Sequence, residues 1–289
     1  MTNTTSNSRT TAALPTVLVT AATGKTGRRV AGRLTALGAP VRAGSRGAEG
    51  PGAVRFDWAD ESTWAPALAG ADAAYVAYYP DLAAPGAVEA MAAFGALAVR
   101  HGVRRLVLLS GRGEPEAARA EEALRASGAE LTVVRAAFFA QNFSEGLLAD
   151  GVEHGEIAFP AGGTAEPWVD ADDIADVVVA ALTEEGHAGL VHELTGPDAL
   201  TFAEVAAALT AATGREVRYL PVSGEQYARL LMEYGLAEGE AHWLAELFAT
   251  LLDGHNSRTT DGVKRVLGRE PKPFAQFARD TAAAGRQSR

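Results

Sequence analysis

One stretch near the start of the chain restricts its fold more than any other: Val17-Leu18-Val19-Thr20-Ala21-Ala22-Thr23-Gly24-Lys25-Thr26-Gly27-Arg28-Arg29-Val30. A short apolar run ends in small residues, and Val30, Leu34 and Leu37 then recur at helical spacing. The pattern reads strand, tight turn, helix. Such a turn lets backbone N–H groups at the helix start approach a phosphate, where the helix dipole favours negative charge. The glycine frame has Ala21, Gly24 and Gly27 at its three positions, and with 31 glycines in the chain the frame alone is weak evidence. A second strand, 41–46, follows Pro40 at the spacing of a βαβ unit.

Strand and helix signals then alternate. Strands are expected at 53–57, 73–79, 106–110 and 131–135, and helices at 62–68, 87–101 and 114–127. The run 106–110 is almost wholly apolar, as in a strand covered on both faces. This alternation predicts an α/β fold, a doubly wound parallel sheet. The second half is less regular. Helices are expected at 138–148, 170–182 and 201–213, strands at 190–194 and 217–222, and mostly helix beyond Ser223. The expected organisation is a disordered tail at 1–14 and a sheet domain at 15–155 completed by the strand near 190–194. A smaller, mostly helical substrate-binding region follows over 156–289.

Composition removes several function classes. The chain has no cysteine, so thiolate chemistry is excluded, and its six histidines show no metal-ligand spacing; no metal is expected. A net charge of −10 disfavours nucleic-acid binding. No apolar run reaches the ~20 residues of a membrane span, and residues 1–13 lack the apolar core of a signal peptide. A cytoplasmic protein is the expectation. The only lysines are Lys25, Lys264 and Lys272.

Six segments, in order, resemble the NmrA-like branch of the atypical short-chain dehydrogenase/reductases. This branch includes quinone-reductase-like proteins, redox-sensing regulators and ergot-alkaloid-type reductases. The turn Val19-Thr20-Ala21-Ala22-Thr23-Gly24-Lys25-Thr26-Gly27 is similar to the family's phosphate turn. Residues 41–46, Phe56-Asp57-Trp58 and Leu106 to Gly111 resemble the ends of its second, third and fifth strands. Arg135-Ala136-Ala137-Phe138-Phe139-Ala140-Gln141-Asn142-Phe143 and Trp168-Val169-Asp170-Ala171-Asp172-Asp173-Ile174-Ala175 resemble two later motifs. Two departures stand out. Ala21 replaces a glycine, which sets the turn slightly further from a pyrophosphate. Ala136 replaces a proline, which loosens the backbone beside the expected nicotinamide site.

The resemblance implies a Rossmann fold and a dinucleotide. Thr20, Thr23, Gly24, Lys25, Thr26 and Gly27 would form the phosphate turn, with Lys25 a point charge for the pyrophosphate or the 2′-phosphate. Arg46 ends the second strand, and no Asp or Glu lies between Pro40 and Arg46. A carboxylate there accepts from the ribose 2′-OH of NAD, whereas an arginine suits a 2′-phosphate. NADP(H) is therefore expected, with Ser45 as a second phosphate contact. Asp57 either faces the adenine or caps a helix. Tyr78, Tyr79, Ser110 and Gly111 end two strands and would line the crevice, although one tyrosine of the pair should pack beneath a helix. Phe138, Phe139, Asn142 and Phe143 would flank nicotinamide and substrate; Phe139 and Phe143 serve equally well as core.

None of the six tyrosines has lysine four residues later, so the Tyr-x-x-x-Lys acid of alcohol dehydrogenation is absent. Tyr78, Ser110 and Asn142 are the expected neighbours of the reacting atoms, and Tyr227 and Trp243 are expected to add apolar surface for a flat substrate. The expected activity is NADPH-dependent reduction of a small hydrophobic electrophile: a quinone, a conjugated carbonyl or a cyclic iminium. The alternative is a non-catalytic redox sensor that binds the same dinucleotide. The sequence leaves the oligomeric state open.

Overall fold

The computed structural model describes residues 13–287. Residues 1–12 of the expected tail lie outside the described residues, and Leu14 packs against the sheet core. The first half alternates strand and helix: β1 (Val17–Val19), α1 (Gly27–Ala36), β2 (Val41–Ser45), β3 (Ala53–Arg55), α2 (Trp64–Leu68), β4 (Ala73–Val76), α3 (Ala87–Arg100), β5 (Arg105–Gly111), α4 (Pro115–Arg125) and β6 (Glu130–Ala136). The second half continues with α5 (Leu147–His154), β7 (Glu156–Phe159), β8 (Ala165–Glu166), α6 (Ala171–Thr183), β9 (Val191–Leu194), β10 (Leu200–Thr201), α7 (Phe202–Thr213) and β11 (Arg218–Pro221). Four helices follow, α8 (Gly224–Glu233), α9 (Glu238–Leu251), α10 (Gly262–Leu267) and α11 (Phe274–Gln287).

Seven strands form one parallel sheet in the order β3-β2-β1-β4-β5-β6-β9. The order reverses between β1 and β4, and crevices that bind ligands open at such a reversal, beyond the strands' carboxyl ends. Side chains alternate between the two faces with the strand period. Val17, Val19, Val107 and Val134 pack under α1, α6 and α10 through Val30, Leu34, Ile174, Val178 and Val263. Leu18, Val76, Leu106 and Leu108 pack under α2, α3 and α4 through Trp64, Met91, Phe94 and Leu124.

A third core lies outside the sheet. Phe143, Phe159, Trp168, Phe202, Tyr227 and Phe274 bring together α7, α8, α11 and the two-stranded pairs β7–β11 and β8–β10. Its residues all come from the chain after β6. Its span is interrupted, because α6, β9 and α10 return to the sheet layer.

The segment expected to be helical over 138–148 departs from that reading. Val169 N–H donates to Phe138 O at 2.9 Å, and Ala140 N–H donates to Val169 O at 2.9 Å. With its backbone committed to this bridge, the segment makes only a short 3-10 turn, Ala140–Phe143, before α5 begins. The bridge carries the chain from the sheet into the outer core.

The turn after β1 is tight. Ala21 adopts a left-handed conformation with φ of 49°, where a Cβ costs roughly 1–2 kcal/mol. Its carbonyl accepts from Gly24 N–H at 2.8 Å, and a Cβ on Gly27 would stand 2.1 Å from that oxygen. Gly27 therefore supplies room and Ala21 carries the strain. Ala136 also differs from the sequence expectation. It is buried in the β6 ladder opposite both Gly111 and Leu194, so its backbone is held on two sides and is not loosened.

Candidate active site

A cavity of about 540 Å³ opens at the sheet's reversal point. Ala21, Gly24, Lys25 and Thr26 of the turn line it, as do the chain after β4, from Ala77 to Leu82, and the carboxyl ends of β5 and β6. The outer region closes it with Leu244, Leu247, Phe248 and Leu251, which recur at helical spacing along one face of α9.

Several residues expected at the site border this cavity: Gly24, Lys25, Thr26, Tyr78, Tyr79, Ser110, Gly111, Phe138, Phe139 and Asn142. Lys25 Nζ donates to Asn142 Oδ1 at 2.8 Å, which ties the phosphate turn to the segment after β6. Burial lowers the Lys25 pKa, with Glu145 opposing that shift and Arg28 adding to it. Thr26 Oγ1 accepts from the buried Tyr75 hydroxyl at 2.8 Å. The Tyr78 ring lies 5.0 Å from that of Trp58, so Tyr78 both packs and faces the cavity. Burial, then Glu89, raises its pKa.

Ser110 faces a constraint that the sequence did not reveal. Its hydroxyl donates inward to Glu121 Oε1 at 2.6 Å, so its one proton is committed. Glu121 is buried on α4 and also accepts from Arg135 Nε and Nη2 at 2.9 and 2.6 Å.

Other expected residues stand elsewhere. Thr20 is fully buried, and its hydroxyl accepts from Ala77 N–H at 2.8 Å, joining the ends of β1 and β4. Thr23 is exposed beyond the lining, while Gly27 packs inside the turn. Ser45 and Arg46 close β2 outside the lining. The exposed Arg46 guanidinium carbon stands 5.5 Å from the Tyr79 ring centroid. Asp57 Oδ1 accepts from Ala59 N–H at 3.1 Å in a turn, and the helical cap is the next residue, Asp60. Phe143 and Tyr227 are buried core residues packed on Trp168 and Phe159 respectively, not cavity walls. Trp243 is one position off the α9 stripe, about 100° away around the helix, and does not line the cavity.

The cavity also contains acidic groups that sequence reasoning missed. Asp81, Glu114 and Glu166 all line it. Glu114 lies over Gly111, where a Cβ would come within 2.1 Å of Glu114 Oε1, so Gly111 makes room for this carboxyl. Burial and then the neighbouring Asp81 push the Glu114 pKa well above its ordinary 4.5. Arg112 and Asn256 also line the cavity, and His255 stands next to Asn256 in the chain. Arg112 Nη1 donates to Asn256 O at 2.7 Å, Asn256 Nδ2 donates to Arg112 O at 3.0 Å, and His255 Nε2 lies 3.2 Å from Gly113 O. The weak signals in the sequence were a glutamate before the buried Trp168 and a glutamate just after β5.

A raised carboxyl pKa makes stability fall with rising pH. Above about pH 4.5 the unfolded chain releases a proton that folded Glu114 retains, and this loss continues up to the folded pKa. Glu114→Gln should therefore flatten the decline in stability between about pH 5 and pH 8 by on the order of 1–2 kcal/mol. Urea unfolding at a series of pH values measures this, and parallel curves for the two proteins would show that Glu114 ionises normally.

Among the described residues, no group of three His, Asp or Glu could hold a metal ion, and no helix is long and apolar enough to cross a membrane.

Comparison with known proteins agrees with this architecture. The NmrA-like family model matches residues 116–265, and an NAD(P)H-binding model matches residues 21–185. An NAD(P)H azoreductase from Xenophilus azovorans is 34% identical over 286 residues, covering 93% of this chain and 98% of the relative. An agroclavine dehydrogenase from Claviceps purpurea is 32% identical, covering 94% and 99%. The structure of an NADPH-dependent quinone oxidoreductase from Escherichia coli complexed with NADPH superposes with a TM-score of 0.71 at 23% identity, covering 91% and 98%. The sheet order, the turn after β1 and these matches together establish that the chain belongs to the NmrA-like family and carries its NAD(P)H-binding fold.

Proposed function

We propose that this protein is an NADPH-dependent reductase of a small hydrophobic electrophile: a quinone, a conjugated carbonyl or a cyclic iminium. The reading is supported first by one observation: the apolar stripe of α9 faces the phosphate turn across a single cavity. A dinucleotide and a flat acceptor would meet there with little water between them. The kinship with an azoreductase and a dehydrogenase also supports an NAD(P)H-dependent oxidoreductase.

The residues present fit NADP(H). The turn brings backbone close to the start of α1, where Gly27 leaves no space for a Cβ, and Lys25 adds a charge for the pyrophosphate. Arg46, held over Tyr79, offers the 2′-phosphate a forked donor, with Ser45 beside it. Thr20 keeps the ends of β1 and β4 together, and Asn142 fixes Lys25. A reduced nicotinamide bound in this cavity would supply hydride. Phe138, Phe139 and the α9 stripe would orient the acceptor and exclude water, with Tyr78 lining the same cavity.

The test is NADPH consumption against quinones, enones and cyclic iminium ions, with NADH in parallel. Turnover of one class with NADPH preferred is expected. Tight NADP(H) binding with no hydride transfer to any of them would favour the redox sensor.

A further inference from the structure

The sequence holds no Tyr-x-x-x-Lys acid, yet a quinone or enone needs a proton as well as hydride. Two hydroxyls at the cavity are poor sources. Ser110 donates its hydrogen bond to Glu121, and burial makes Tyr78 a weaker acid. Glu166 is different. It stands on β8, opposite Leu200 of β10, and is one of the residues that line the cavity, with Asn256 and Phe248. Its residue exposure is 1%, yet neither carboxyl oxygen has a hydrogen-bond partner among the described residues. A buried carboxylate without partners is unfavourable, whereas a neutral carboxyl facing a cavity is ready to donate to a ligand there.

The surroundings of Glu166 support the neutral form. Burial raises its pKa to about 7. Arg112 from the loop after β5 and His255 from the loop after α9 oppose that rise, while Asp253 adds to it. The cavity face of α9 presents only Leu244, Leu247, Phe248 and Leu251, and β10 contributes Leu200 and Thr201, so neither brings a charge. Glu114 and Asp81 are the other acids on the cavity wall.

We propose that Glu166 is the proton donor that accompanies hydride transfer to an oxygen-bearing acceptor. This rests on the reductase reading above. The quinone gains two electrons and one hydrogen as hydride from the reduced cofactor. The O–H bond of the Glu166 carboxyl breaks, and an O–H bond forms on the quinone oxygen left with negative charge. Hydroquinone and oxidised cofactor leave, and the Glu166 carboxylate recovers a proton from water. A cyclic iminium becomes a neutral amine on taking hydride and needs no such proton.

That difference supplies the control. Glu166→Gln in the full chain should lower kcat for a quinone by about 10²-fold, at the low end of general-acid contributions. A preformed cyclic iminium should keep its rate within about threefold, and NADPH affinity by fluorescence titration should be unchanged. Glu166→Asp should recover part of the quinone rate. Without any substrate, infrared titration should show a protonated carboxyl that ionises near 7 in the wild type and is missing in Glu166→Gln. An undiminished quinone rate in Glu166→Gln would overturn the assignment. So would equal losses on both acceptors, or a larger loss on the iminium, which would mark Glu166 as a carboxylate that binds cations. Absence of turnover by the wild type with every acceptor would defeat the reductase reading, and this role with it. Wild-type turnover with an intact Glu166→Gln rate would defeat this role alone.

Discussion

Arg46→Ala weakens NADPH binding by about 10²-fold and leaves NADH within about threefold: this is the outcome expected if the guanidinium holds the 2′-phosphate. The magnitude follows from the chemistry. A hydrogen bond to a charged group contributes about 1.5–3 kcal/mol, and 1.4 kcal/mol is tenfold in affinity. A forked contact to a phosphate would thus contribute about 3 kcal/mol. NADH has no charge at that position, so it loses nothing comparable. Arg46 is exposed, and its stacking over Tyr79 places the fork before the cofactor arrives. The NADPH advantage should also shrink with added salt, because an exposed charge pair is screened. Equal losses for both cofactors would remove Arg46 from the 2′-phosphate site.

The second large effect concerns stability. Glu121→Ala is expected to destabilise the fold by about 2–3 kcal/mol, read from the urea midpoint. Removing one partner of a fully buried ion pair costs about 3–5 kcal/mol. Here Arg135 is partly solvated, with 30% of its side chain exposed, and keeps Glu193 at 3.6 Å, which lowers the figure. The buried Ser110 hydroxyl also loses its acceptor. Glu121→Gln retains a carbonyl for Ser110 and should cost less. A change below about 0.5 kcal/mol for the alanine variant would mean that solvent replaces the carboxylate freely, contrary to its burial.

The parts of this molecule that were readable in the sequence are those set by neighbours along the chain. The β1 turn, the apolar strands and the cap at Asp170 follow from spacing and short-range hydrogen bonds. The segment 138–148 departs from its helical pattern because its backbone bonds go to Val169, some thirty residues away. The aromatic expectations failed for a related reason. Composition places Phe143, Tyr227 and Trp243 on helices and turns but does not say which face looks inward. Only the packing of α9 distinguishes Leu244 from Trp243. Glu166 leaves only a weak signal in the sequence because its environment is assembled from β10, the loop after α9 and the loop after β5, none of which adjoins it in sequence.

The interruption of the outer region has a consequence for how such proteins diversify. The chain leaves the sheet after β6, returns for α6 and β9, leaves for β10 to α9, returns for α10 and leaves again for α11. The outer layer is therefore not a cassette with two ends that could be excised and grafted onto another sheet. New specificity in such a scaffold must be written in place, one wall residue or loop at a time, while the crossings between layers stay fixed. Relatives that differ in substrate would then keep nearly the same length and overlay along almost the whole chain, as the azoreductase and the agroclavine dehydrogenase illustrate, matched over 98% and 99% of their own lengths.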